Sequence, residues 1–238
     1  MSKQTGIKGK RQEIKARRLR EQQRTRLITL SVVGVFAVLI AAVVIATWLG
    51  NRVTGDFIIP QVEPLPISDR NTMGDPNAPI RIEEFSDFLC SHCKAFAIDQ
   101  KPAIVRDYIA TGKVFFVYIP FSFMAPESAR AAEAAYCAAD QDKFWQYHNI
   151  IFANVGTETT QPLADERLIQ YAEALGLDID TFRTCLLNDT HQRQVQDDLA
   201  YGRGLGVTGT PTFNLNGRLF GRGEIVQVIE EELARLSQ

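Results

Sequence analysis

The residues most able to do chemistry lie in Phe88-Leu89-Cys90-Ser91-His92-Cys93-Lys94-Ala95-Phe96. Two cysteines stand two residues apart, with a histidine between them, in a chain that has four cysteines. Such a pair can hold a metal, staple the fold or exchange electrons. Structural zinc usually takes four ligands, often as two knuckles. Here Cys137 and Cys185 are far apart along the chain and have no local partners, and His92 lies inside the first knuckle. No metal site is therefore expected. A Cys90–Cys93 staple would close too small a loop to add much stability. Dithiol exchange is the reading that uses every feature. A cysteine opening a helix meets unpaired N–H groups and the positive end of the helix dipole, which stabilise a thiolate. The thiolate is the nucleophile of exchange. Cys93 would lie one turn further in, within reach for closing the disulfide, and His92 could add a hydrogen bond or positive charge.

The elements that must position this motif follow from periodicity. Pro79 to Phe85 alternates and then turns apolar, as a strand does, and Ser86-Asp87 breaks it. Ser91 to about Thr111 has helical spacing, with a kink expected at Pro102. Gly112 stops that helix, and Lys113–Phe121 reads as a second strand. Pro126 to Asn154 reads as one helix, in which Trp145, Tyr147 and His148 are packing residues. Further helices are expected over 164–175, 178–187 and 190–204. Thr212–Leu215 and Arg218–Phe220 flank Asn216-Gly217, a strong hairpin signal, and an amphipathic helix closes the chain from Gly223 to Leu236. The order is β-α-β, a helical block, then β-hairpin-α, in an α/β domain over 79–238. A Cys-x-x-Cys at the first strand-to-helix junction is where a thioredoxin-like redox motif is expected.

The N-terminal part speaks to compartment. In residues 1–26 ten Lys/Arg stand against two Glu, giving +8 and leaving −10 for the rest of a chain whose net charge is −2. Residues 27–49 carry no charge and as a helix would span roughly 34 Å, enough for one membrane crossing. The run is longer than a signal peptide's apolar region. The expected topology is a basic cytoplasmic tail (1–26), a transmembrane helix (27–49), a proline-rich extracytoplasmic linker (50–78) and an external domain. The basic tail then sets topology and binds no nucleic acid. All four cysteines fall outside, where disulfides persist.

The segments "APIRIEEFSDFLCSHCKAF" and "GVTGTPTFNLNG" resemble the DsbA-like thiol–disulfide oxidoreductases of the thioredoxin fold, particularly the membrane-anchored bacterial group. The resemblance covers residues 74–238. It implies that Cys90 attacks and Cys93 resolves, and that Pro211, after Thr210, forms a cis-proline loop beside the disulfide, presenting the Thr210 backbone to substrate. It matches the block at about 122–205 with the family's helical insertion. It puts Glu84 where the family often has a buried acid able to shuttle a proton to Cys93; strand alternation alone would equally allow Glu84 a solvent-facing position. Ser91 stands where strong oxidants usually carry proline, and Thr210 also occurs in isomerases, so both leave the redox potential open. Cys137 and Cys185 are read as a structural disulfide across the inserted block, with free thiols or a second relay as alternatives. That bond would close a loop of about 49 residues and stabilise by roughly 4 kcal/mol in the entropy model. Phe121, Phe123 and Met124 are candidates for a peptide groove or for loop packing.

These observations lead to a membrane-anchored, extracytoplasmic oxidoreductase without cofactor that oxidises cysteine pairs of exported polypeptides. Isomerase or reductase activity, and a non-redox binding or chaperone-like module, are the alternatives. The resemblance implies reoxidation by a membrane partner, DsbB-like or quinone-linked. The chain is expected to be a monomer, since 50–78 is too short for a dimerisation domain.

Overall fold

The computed structural model describes residues 26, 30–44, 56–61, 66–156 and 161–238. The chain divides into two compact units, Met1–Arg52 and Val53–Gln238. In the first, residues 30–44 are helical and their side chains exposed. The ends of the apolar run, 27–29 and 45–49, and the basic tail up to residue 25 lie outside the described residues. Among the described residues no helix is long and apolar enough to cross a membrane.

Among the described residues the second unit is built on a six-stranded sheet, whose strands β1 (Ser68–Asp69), β2 (Thr72–Met73), β3 (Ile80–Ser86), β4 (Val114–Pro120), β5 (Thr212–Leu215) and β6 (Arg218–Gly221) lie in the order β1-β2-β4-β3-β5-β6. At its centre β3 (Ile80–Ser86) and β4 (Val114–Pro120) run parallel. The connection between them begins as α1 (Ser91–Ala95) and α2 (Lys101–Ile104), joined by the π-helical turn Phe96–Gln100 and followed by another at Val105–Ile109. Pro102 explains the first irregularity. It lacks the N–H that a regular helix would give to residue 98, and the chain widens just before it, Lys101 N–H bonding to Phe96 O five residues back. The helix therefore continues through Pro102.

The helical block is α3 (Pro126–Ala139), α4 (Phe144–Asn154), α5 (Asp165–Ala174), α6 (Ile179–Leu187) and α7 (Gln192–Gly204). The single helix expected over 126–154 is in fact two. Asp142 adopts a left-handed φ of 58°, which no helix tolerates, and the chain turns between them. The hairpin β5 (Thr212–Leu215) and β6 (Arg218–Gly221) turns on Asn216 and Gly217, both at positive φ, and α8 (Ile225–Leu236) follows. Its strand β5 pairs antiparallel with β3.

Residues 68–73, expected to be linker, instead extend the sheet. β1 (Ser68–Asp69) and β2 (Thr72–Met73) form a minimal hairpin, and β2 pairs antiparallel with β4. Periodicity cannot reveal strands of two residues. They are held by tertiary bonds: Tyr118 N–H donates to Asn71 O at 2.9 Å, Asn71 Nδ2 to Tyr118 O at 2.7 Å, and Trp145 Nε1 to Thr72 O at 2.8 Å. Upstream, Phe57 packs edge-on against Tyr171, and the Asn154 side chain bonds both the N–H and the C=O of Ile58. The other expected linker residues 50–55 and 62–65 lie outside the described residues.

Both faces of β3 are covered. Ile82 belongs to the large core shared with α1, α4 and α8; Phe85 belongs to a smaller one with Val117, Ile119 and Phe121, against which Leu199 of α7 packs. Gly74, just after β2, has a φ of 101°, and a Cβ there would lie 2.6 Å from Val114 O and 2.9 Å from Ile109 Cγ2. Gly74→Ala therefore combines a left-handed alanine with a backbone clash. It should destabilise the domain by about 2–4 kcal/mol, read from chemical denaturation.

Candidate active site

Cys90 is the N-cap of α1. Its backbone is extended (φ −76°, ψ 118°), and its Sγ accepts the Cys93 N–H at 3.4 Å. Cys93, one turn on, is fully buried, and both cysteines are free thiols in this structure. The Thr210–Pro211 peptide bond is cis, and the Cys90 thiol donates to Thr210 O at 3.3 Å. The fold thus brings together residues 120 positions apart: the end of β3 delivers Cys90, and the loop entering β5 delivers Thr210 and Pro211.

The two thiols are electrostatically unequal. That of Cys90 is lowered from 9.0 to about 5. The hydrogen bond from the Cys93 side chain contributes most, and burial opposes it. The backbone N–H groups of Cys93 and His92 add to the lowering, and the Thr210 hydroxyl is close enough to help without forming a hydrogen bond. Burial, above all, raises the Cys93 thiol far above 9.0, and its bond to Cys90 raises it further. Ser91 and His92 are exposed on the first turn, and His92 acts on Cys90 through its backbone N–H.

This geometry agrees with the comparisons. The family profile described as thioredoxin matches residues 68–231. The chain is similar to the probable disulfide bond formation protein D of Bacillus anthracis, 29% identical over 157 residues that cover 64% of this chain and 72% of that protein. It is also similar to the crystal structure of oxidised BdbD from Bacillus subtilis, with a TM-score of 0.64, 27% identity, and coverage of 69% of this chain and 93% of that one. The crystal structure of Chlamydia trachomatis DsbA gives a TM-score of 0.62 at 25% identity, over 74% of this chain and 98% of that one. The chain belongs to the DsbA-like thioredoxin family. It is a thiol–disulfide oxidoreductase.

As in any α/β sheet, the site of this DsbA-like domain sits beyond the carboxyl ends of parallel strands. Beneath it lies Glu84, completely buried because a central strand covered on both faces leaves no solvent side. Burial pushes its carboxyl from 4.5 up to about 7. The Lys101 ammonium pulls the other way, and the Ser86 hydroxyl is close enough to help without forming a hydrogen bond. Lys101 is itself drawn down to about 8 by burial, against the attraction of Glu84. Its Nζ approaches His148 Nδ1 at 3.1 Å and lies 4.9 Å from the centre of the Trp145 ring. His148 is held well below 6.5, by burial first and then by Lys101, and its Nδ1 also lies 2.9 Å from Asn149 Oδ1. Trp145, Tyr147 and His148 are all buried packing residues.

Sequence reasoning treated Asp87 only as a strand breaker. It is completely buried, and its carboxylate is the knot of the site. Oδ1 accepts Leu89 N–H at 2.8 Å and Ser128 Oγ–H at 2.7 Å; Oδ2 accepts the N–H groups of Phe123 and Met124 at 3.0 and 3.1 Å. One side chain thereby fixes the turn into Cys90, the loop after β4 and the start of α3. An acid three residues before a helix-opening cysteine was the available signal. Phe121 is buried, while Phe123 and Met124 are exposed on that loop. Cys137 and Cys185 are joined by a disulfide between α3 and α6, away from the motif.

The raised carboxyl of Glu84 makes a pH prediction. An acid whose folded value (about 7) exceeds its unfolded value (4.5) leaves stability intact below 4.5 and removes it as pH rises through 7. Glu84→Gln should therefore be more stable than the parent at pH 8, by roughly 1–3 kcal/mol, with the gap closing toward pH 5. Parallel denaturation curves at the two pH values measure it.

Proposed function

We propose that this oxidoreductase works in the oxidising direction, donating a Cys90–Cys93 disulfide to cysteine pairs of exported polypeptides. The observation that carries the reading is the Cys90 sulfur at the helix N-cap, with its thiolate favoured down to about pH 5. Stabilising the thiolate stabilises the reduced enzyme, and a stabilised reduced form makes the disulfide easier to give away.

Cys90 is the attacking and the attacked sulfur. The substrate thiolate attacks Cys90 Sγ, breaking the Cys90–Cys93 bond and releasing Cys93. A second substrate thiolate then attacks the substrate sulfur of the mixed disulfide, and Cys90 leaves as a thiolate. Its low pKa makes it a good leaving group in this last step. Cys93, with its raised pKa, takes a proton on release, and Glu84 beneath it is the buried group placed to supply one. Thr210, next to the cis bond, offers the backbone against which an extended substrate aligns, in the manner of strand addition. The names of the relatives, disulfide bond formation protein D and DsbA, support the same direction.

For location we propose a single-pass anchor at 27–49, the basic tail in the cytoplasm and the domain outside. The charge segregation, the uncharged apolar run and the Cys137–Cys185 bond support this. Reoxidation then falls to a membrane partner of the DsbB or quinone-linked kind.

Two measurements test the proposal. Equilibration with glutathione should give a reduction potential above about −200 mV, and a value near the −270 mV typical of thioredoxin would make this a reductase. In the same protein, alkylation of Cys90 should rise through about pH 5 and then level off, while Cys93 stays unreactive. For topology, protease added outside spheroplasts should digest the domain and spare the basic tail; a protected domain overturns the location.

A further inference from the structure

Sequence reasoning gave Cys137 and Cys185 no local ligand partner, yet Asp140 follows Cys137 by three residues and His191 follows Cys185 by six, and the fold brings the two segments together. Cys137 is in the last turn of α3, and Asp140 caps that helix; Cys185 is on α6, and His191 precedes α7 as its N-cap. Donor atoms of Cys137, Cys185 and His191 all lie within 4.8 Å of one another. Asp140 Oδ2 lies beside this trio, 2.6 Å from His191 Nε2 and 4.0 Å from Cys185 Sγ. Arg70 holds the other carboxylate oxygen at 2.6 Å, which aims Oδ2 at the histidine and the sulfur. His191 Nδ1 is occupied by Gln194 Oε1 at 3.1 Å. Cys185 and His191 are only partly buried, so an ion has access.

We infer that the reduced Cys137–Cys185 pair, with His191 and Asp140, is a binding site for a zinc-class divalent cation, and that disulfide and metal are alternative closures of the same two helices. The donor set is two thiolates, an imidazole and a carboxylate, each among zinc's usual ligands, supplied by two short segments (C-x2-D and C-x5-H) that the fold brings together. Soft thiolates select zinc over magnesium or calcium. The chemistry balances simply. A dithiol reductant gives two electrons and two protons to the Cys137–Cys185 bond and becomes a disulfide itself. Both new thiols lose their protons when the divalent ion binds, and the ion does not change oxidation state. Every newly synthesised chain also passes through this reduced state before the bond forms. Zinc would then hold α3 to α6 while the sulfurs are thiolates and would protect them from mispairing with Cys90 or Cys93.

The test uses the full chain carrying Cys90→Ser and Cys93→Ser, so that the motif contributes no thiol. Reduced with a phosphine and titrated with Co²⁺, it should show thiolate-to-cobalt charge transfer and tetrahedral d–d bands ending at one ion per chain. The same protein with its disulfide intact should show neither. Zinc should displace the cobalt and slow re-formation of the disulfide, followed by thiol alkylation. Adding His191→Ala should remove the tetrahedral d–d bands. Absence of a charge-transfer band in the reduced protein overturns the inference, as does an unchanged spectrum in His191→Ala. Should the reduced chain unfold without metal, recovery of its helical circular dichroism on adding zinc supports the site, and failure to recover counts against it.

Discussion

The bond from the Cys93 N–H to the Cys90 sulfur is the constraint on which the rest of the site depends. It exists only if Cys90 stands outside the helix with extended backbone while Cys93 is already inside. That requirement fixes where β3 ends, how the chain turns through Asp87, and which way α1 leaves the sheet. An N-cap is ordinarily serine, threonine, aspartate or asparagine, whose oxygen accepts an orphan N–H. Here sulfur takes that place, so the helix terminus spends its free donors on the reactive atom. The same N–H groups that would otherwise be satisfied by a capping oxygen keep the thiolate charged.

The buried groups beneath complement that arrangement. Glu84 would be an expensive residue in a dry core, and Lys101 equally so. Placed near each other they moderate one another's cost, yet no hydrogen bond closes the pair, and burial keeps both near neutral pH rather than at their usual extremes. A salt bridge in contact would have held Glu84 ionised and useless as a proton donor. Neutral His148 and the face of Trp145 accommodate the ammonium instead of a second carboxylate. The site therefore holds a proton under Cys93 that a surface acid would have lost.

Much of this was legible in the sequence, for definite reasons. The Cys-x-x-Cys lies at a strand-to-helix junction that periodicity marks, and the Asn-Gly hairpin carries its own turn chemistry; both signals are local. The cis bond at Pro211 was reachable only through resemblance, since a Thr-Pro dipeptide is far more often trans. What escaped was set by tertiary structure. Two-residue strands have no period, and β2 exists because the β4 edge and Trp145 bind it. The break at Asp142 interrupts an alanine-rich stretch that reads as continuously helical. Asp87 serves three chain segments that meet only in three dimensions, and Asp140 and His191 reach the second cysteine pair by the same kind of convergence.

The small hairpin over residues 68–73 has a further consequence. A sheet with a long bare edge invites other chains to add strands. Here one outer strand is two residues long and the other four. Neither gives a visiting chain room to register several successive backbone bonds. Neither rim of the described sheet is therefore a template on which the backbone of another chain, or of a second copy of this one, could pair and aggregate.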